Sequence, residues 1–150
     1  MDLYVLASVQ EEVGGRGAKT GAFSIAPDWC FAFDVDHAKT PDGKEHWLKE
    51  LGGGVIISKG TILNKPLSET AIRLANEKGI KFQLGVEAGD TGTNAHFINL
   101  SREGVATALF GLPLKYMHSP VEVISLLDAE AAALLLAEVA KAMKGDDDRA

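Results

Sequence analysis

Leu3-Tyr4-Val5-Leu6-Ala7-Ser8-Val9-Gln10-Glu11-Glu12-Val13-Gly14-Gly15-Arg16-Gly17 runs from an apolar stretch, through two adjacent glutamates, into a glycine-rich turn. Residues 3–9 are apolar on both faces of an extended chain, as strands covered by helices on both sides tend to be. The stretch therefore reads as a strand of an α/β sheet. Adjacent side chains at the end of a strand point in different directions. One carboxylate of the Glu11–Glu12 pair can then bind a metal ion while the other faces water as a general base. A solvated rim, or the cap of the next helix, would look the same in sequence.

Two further positions share that setting. Asp34 ends a second apolar run, residues 29–35, with Asp36 and His37 directly after it, and His118 follows another apolar stretch in Tyr116-Met117-His118-Ser119-Pro120-Val121-Glu122. Each has a plain alternative, an Asx-turn for the aspartate and a hydrogen-bonded structural role for the histidine. All three candidates nevertheless sit at strand ends, where open α/β sheets build their sites.

The rest of the chain alternates strands and helices. Residues 17–26 read as a short helix, 29–35 as a strand, and 54–58 as another after the triple glycine Gly52-Gly53-Gly54. Residues 67–78 read as a helix with Ser68 as N-cap and Gly79 as stop. A strand is expected over 81–86, a helix over 94–101, and extended chain over 106–116 in one or two pieces around Pro113. The last helix spans 129–144, with Asp128 as cap, Lys141 and Lys144 in its last turn and Gly145 after it. Leu135, Leu136, Val139 and Met143 recur at helical spacing and read as core. Three aspartates in residues 146–150 make an acidic, solvated tail.

With 150 residues the chain is one domain or part of one, and its net charge of −6 offers no basic surface to nucleic acid or anionic lipid. Cys30, the single cysteine, lies in an apolar run and reads as a buried thiol. No stretch approaches the roughly 20 apolar residues of a membrane span, and the first apolar run lacks a basic leader, so the expected compartment is the cytoplasm. Gly89-Asp90-Thr91-Gly92-Thr93-Asn94-Ala95 lacks the lysine of a phosphate loop, which leaves nucleotide binding without a motif.

The string Val9-Gln10-Glu11-Glu12-Val13-Gly14-Gly15-Arg16-Gly17-Ala18 resembles the glutamate-pair motif of metallopeptidase family forty-two, which includes glutamyl, deblocking and tetrahedral aminopeptidases. Phe33-Asp34-Val35-Asp36-His37-Ala38, the stretch Gly89 to Ala95, and Lys115-Tyr116-Met117-His118-Ser119-Pro120-Val121-Glu122 follow in that family's order, so the resemblance covers most of the chain. It implies Glu11 as general base and Glu12, Asp34 and His118 as ligands of two divalent ions: zinc, cobalt or manganese. It also implies peptide substrates, a three-layer α/β/α zinc-peptidase-like sheet, and Thr93 near the metals.

Departures from the family pattern shape the expectation. The family has a histidine ligand and a bridging aspartate ahead of the glutamate pair, whereas here only Asp2 precedes Glu11 as a carboxylate and no histidine does. Residues 1–145 thus resemble the C-terminal half of a catalytic domain, expected to hold one ion or none by itself. Lys115 and Asn94 stand where the family usually has arginine and aspartate. The leading expectation is a half-domain of a dinuclear aminopeptidase that is inactive alone, and the alternative is a noncatalytic interaction subunit or relic retaining the fold. The endoglucanase name carried by some relatives fits less well, because glycosidases need two carboxyl groups about 5 to 9.5 Å apart across a sugar rather than a histidine partner. The sheet is expected to be mostly parallel, with residues 3–9 as a central strand whose neighbour is absent. Such an exposed strand invites a homo-oligomer or a chain supplying the N-terminal half.

Overall fold

Apolar runs separated by glycine, proline and asparagine breaks become four strands and four helices in the computed structural model, which describes residues 2–43 and 47–143. Their order is α1 (Arg16–Ile25), β1 (Trp29–His37), β2 (Val55–Gly60), α2 (Lys65–Lys78), β3 (Phe82–Glu87), α3 (Asn94–Ile98), β4 (Ala106–Leu114) and α4 (Leu126–Ala142). The strands form one sheet in the order β1-β4-β2-β3. β1 lies parallel to β4 and β2 parallel to β3, while β2 and β4 meet antiparallel through Ile56↔Gly111 and Ile57↔Phe110. The sheet is therefore mixed, and two of its three strand pairs are parallel as expected.

Alternation along the strands sends side chains to two cores. On one face, Val55, Ile57, Ala108 and Phe110 pack against Leu67, Ala71 and Leu74 of α2 and against Leu135 and Val139 of α4. Phe110 is fully buried, stacked on Phe31 at 5.9 Å between ring centres and edge-on to Phe33 at 5.4 Å. A side chain buried so completely contributes roughly 1.5–3 kcal/mol from desolvation. The opposite face packs Ala32 and Leu109 against Ala95 of α3, and Ala18 and Ala22 of α1 against Ile98 and Val105. With α2 and α4 on one side and α1 and α3 on the other, the architecture is the expected three-layer α/β/α. Cys30 is half-buried rather than fully buried as expected, and its burial pushes the thiol up to about 11.

Four local expectations are corrected. Residues 3–9 join no strand, and all but Ser8 are exposed, Val5 at 91%. Apolarity signals a need for burial but supplies no hydrogen-bonding partner. The segment instead runs along α1, where Cβ atoms at Gly17 and Gly21 would collide with Val9 and Leu6. The cap of α2 is Asn64, whose side chain accepts from the Leu67 N–H at 3.0 Å, and Pro66 sits in the first turn, where its missing N–H costs nothing. The helix thus starts before Ser68, which is buried and donates its hydroxyl to the Ser58 carbonyl at 3.0 Å, fastening α2 to β2.

The third correction concerns α4, which begins after Ser125. This places Asp128 inside the first turn, 1% exposed, where its carboxylate accepts from the Gly52 N–H at 2.8 Å and the Gly54 N–H at 2.7 Å. Asp128 therefore anchors the glycine turn ahead of β2 rather than capping its own helix. Gly54 is required there: its φ is +95°, and a Cβ would lie 2.1 Å from the Lys81 carbonyl oxygen. Lastly, α3 ends at Ile98 rather than 101; β4 runs in one piece through Pro113, one of the two forms expected. The register with β2 stops before Pro113, so no ladder bond to β2 is asked of it. Lys144, Gly145 and the tail 146–150 lie outside the described residues.

Candidate active site

Glu11 and Glu12 sit on a turn closed by its own backbone. The Gly14 and Gly15 N–H groups donate to the Glu11 carbonyl at 3.0 and 2.9 Å, and the Gly17 N–H donates to the Val9 carbonyl at 3.0 Å. Gln10, just ahead of the pair, has a left-handed φ of 59°, and Gly15 at φ 58° starts α1. A side chain at Gly15 is impossible without movement, since its Cβ would lie 1.8 Å from the Phe97 ring of α3.

Asp34 is carried by β1, opposite Gly111 of β4, and its carboxylate accepts from the Val35 N–H at 2.8 Å. His118 lies on the loop after β4, closed at its base by the Lys115 and Val123 backbones, which exchange hydrogen bonds of 3.0 and 3.2 Å. Within the loop the His118 N–H donates to Glu122 at 2.7 Å. Tyr116 and His118 both hold φ near 61°, a conformation non-glycine residues adopt only when their surroundings impose it.

These separate segments converge. His118 Nε2 lies 2.9 Å from Glu12 Oε1, joining residues 106 positions apart. Partial burial pushes the Glu11 carboxyl above its ordinary range; Asp34 and Glu12 push the same way, and His118 opposes them. Burial likewise raises Asp34, with the Val35 hydrogen bond pulling back and the Glu12 charge adding to the rise. All four residues named from sequence thus lie within electrostatic reach of at least one other. The donor set, two carboxylates and an imidazole, suits zinc, cobalt or manganese. Among the described residues, however, no group of three or more His, Cys, Asp or Glu side chains is placed to hold one ion. Glu12 and His118 fit as a ligand pair that closes on itself, and Asp34 stands beside it.

A cavity of about 70 Å³ adjoins Asp34, lined by Asp36, Ser58, Glu87, Thr91 and Thr93 among others. Glu87 accepts from the Ser58 hydroxyl at 3.2 Å, and burial raises its carboxyl, with Asp36 adding to the rise. Glu87 escaped the sequence reading, although it ends β3, while Asp34 lies within β1, three residues short of its end. Thr93 lines this cavity and caps α3 by accepting from the Ala95 N–H at 3.1 Å. His37 is exposed and edge-on to Trp47, and His96 Nδ1 lies 3.2 Å from Asp90 Oδ1 without the alignment of a hydrogen bond. Neither histidine is placed with Glu12 and His118 in a three-residue group.

The chain is similar to a lysyl aminopeptidase of Pyrococcus furiosus, 40% identical over 129 residues, covering 86% of this chain and 37% of the relative. Among solved structures it resembles a TET aminopeptidase from a marine-sediment Thaumarchaeota archaeon, with a TM-score of 0.88 and 35% identity over 95% of this chain and 41% of that one. It also resembles a TET peptidase of Pyrococcus horikoshii that can assemble into a tetrahedron or a large octahedral shell, with a TM-score of 0.62 and 33% identity over 89% of this chain and 39% of that one. The chain spans about two fifths of these relatives' length. The family model described as M42 glutamyl aminopeptidase matches residues 1–135, and the chain belongs to that family.

Proposed function

We propose that residues 1–145 form the C-terminal half of a dinuclear, metal-dependent aminopeptidase site that removes N-terminal residues from peptides. The observation that carries this reading is the 2.9 Å contact between His118 and Glu12, with Glu11 and Asp34 within electrostatic reach. Glu12, Asp34 and His118 would serve as ligands, and the bound ions would supply Lewis-acid polarisation of the scissile carbonyl. Glu11 acts as the base: it takes a proton from the attacking water and passes it to the leaving amine. A carboxyl raised by burial and neighbouring charge is the better proton acceptor for that task. The complete site would draw a further histidine and a bridging aspartate from residues outside this sequence. A homo-oligomer is supported by the assembly of the Pyrococcus horikoshii relative, and the cytoplasm remains the proposed compartment.

Role and ligand separate by mutation. Glu12→Ala, Asp34→Ala and His118→Ala should each lower the zinc retained on equilibrium dialysis, whereas Glu11→Gln should leave it near wild type and abolish turnover in any preparation with peptidase activity. Equal zinc loss in all four variants would sink this division. A second reading is an interaction subunit that keeps the fold, in line with no three-ligand cluster being placed among the described residues. A catalytic zinc uses about three protein ligands, so the 150-residue chain alone should release no amino acid from a panel of aminoacyl substrates with zinc, cobalt or manganese added. Hydrolysis abolished by Glu11→Gln would instead show that the chain completes its own site.

A further inference from the structure

The glutamate pair is held from both ends by one short helix. Upstream, Asn94 Nδ2, at the start of α3, donates to Ser8 Oγ at 3.0 Å, three residues ahead of Glu11. Downstream, the Phe97 ring, one turn along the same helix, occupies the space a Cβ at Gly15 would need. Asn94 and Phe97 are three residues apart, so they share a face of α3. Lys19 of α1 sits over the same ring, its Nζ 4.3 Å from the centroid. A second observation marks Asn94 as unusual: its Oδ1 is buried without a hydrogen-bond partner. A buried acceptor left unmade is costly and calls for an explanation. The bond made by the other end of the same amide supplies one.

We infer that Asn94 and Phe97 are positioning residues, a two-point clamp that fixes the segment carrying Glu11 and Glu12 relative to Asp34 and His118. This rests on the proposed function for its consequence in metal binding, but the clamp itself does not require a metal. The clamp acts through backbone position. Its expected signature is a loss of metal affinity with no loss of ligands, because supporting residues of a metal site typically cost about ten- to a hundredfold in affinity when removed.

The test uses the full chain with Ser8→Ala, Asn94→Ala, the double variant and Asn94→Asp. Two quantities are read: amide hydrogen exchange of residues 9–17 in metal-free protein, and zinc affinity by calorimetry. Ser8→Ala and Asn94→Ala should each speed exchange over 9–17 by roughly five- to tenfold and lower zinc affinity about tenfold, and the double variant should be no worse than either. Asn94→Asp, whose carboxylate can accept the Ser8 hydroxyl proton, should stay within about twofold of wild type. Unchanged exchange over 9–17 in both single variants, or additive effects in the double variant, would overturn the clamp. If the wild-type chain by itself binds no zinc, as the half-domain reading allows, the exchange comparison alone decides the clamp.

Discussion

Glu11 and Asp34 are carboxylates in poor company, partly desolvated and close to further negative charge. Both are raised in the folded state, so between the unfolded and folded pKa the native protein binds more protons than the unfolded chain. Stability then falls as pH rises through that interval. Their contribution is fully present below the ordinary carboxylate range and is lost once both are ionised. Metal-free protein should accordingly become less stable from about pH 4 toward neutrality, and Glu11→Gln should flatten that slope and raise the melting temperature at pH 7. Thermal melts of the two proteins across this range check the sign. A steeper fall in the variant would contradict it.

Elements, rather than residues, show how far the sequence could be read. Helices α2 and α4 and strands β1, β2 and β3 were legible because apolar period and glycine breaks agreed with one another, as at Gly79 after α2. The caps were not, since Ser68 and Asp128 spend their polar atoms on other elements. Local rules see only neighbours in sequence, and Asp128 reaches 76 residues back to Gly52. That long reach predicts a large effect: Asp128→Ala removes the acceptor of one buried and one part-buried N–H group and should cost about 2–4 kcal/mol in urea unfolding. Asp128→Asn, which keeps one acceptor, should recover part of it. An effect equal to an ordinary cap deletion, about 1 kcal/mol, would argue against the anchoring role. At the candidate site, the family motifs singled out Glu11, Glu12, Asp34 and His118, and the structure brings each within electrostatic reach of another. Glu87 and the Asn94–Ser8 bond were not legible, because no motif spacing announces a tertiary contact.

At the scale of the whole molecule, residues 3–9 leave Leu3, Tyr4 and Val5 exposed, and the approach to α4 and its first turn expose Val121, Ile124, Leu126 and Leu127. Apolar surface of that kind marks an interaction surface or an aggregation hazard. The chain should therefore self-associate or depend on a partner at micromolar concentration in sedimentation velocity, and a single stable monomer would count against it. Why residues 3–9 misled the sequence reading is plain at this scale: whether an apolar run becomes a strand depends on which edge is available to receive it.

The left-handed backbone at His118 has an evolutionary consequence. A chain selected only to stay folded would favour glycine there, because glycine meets φ near 61° without the Cβ penalty that a histidine bears. His118→Gly should thus keep the loop closed at Lys115 and Val123 while discarding the contact with Glu12. Drift under selection for stability alone would erase the histidine first, which makes its persistence at this position a gauge of whether a lineage still uses the chemistry.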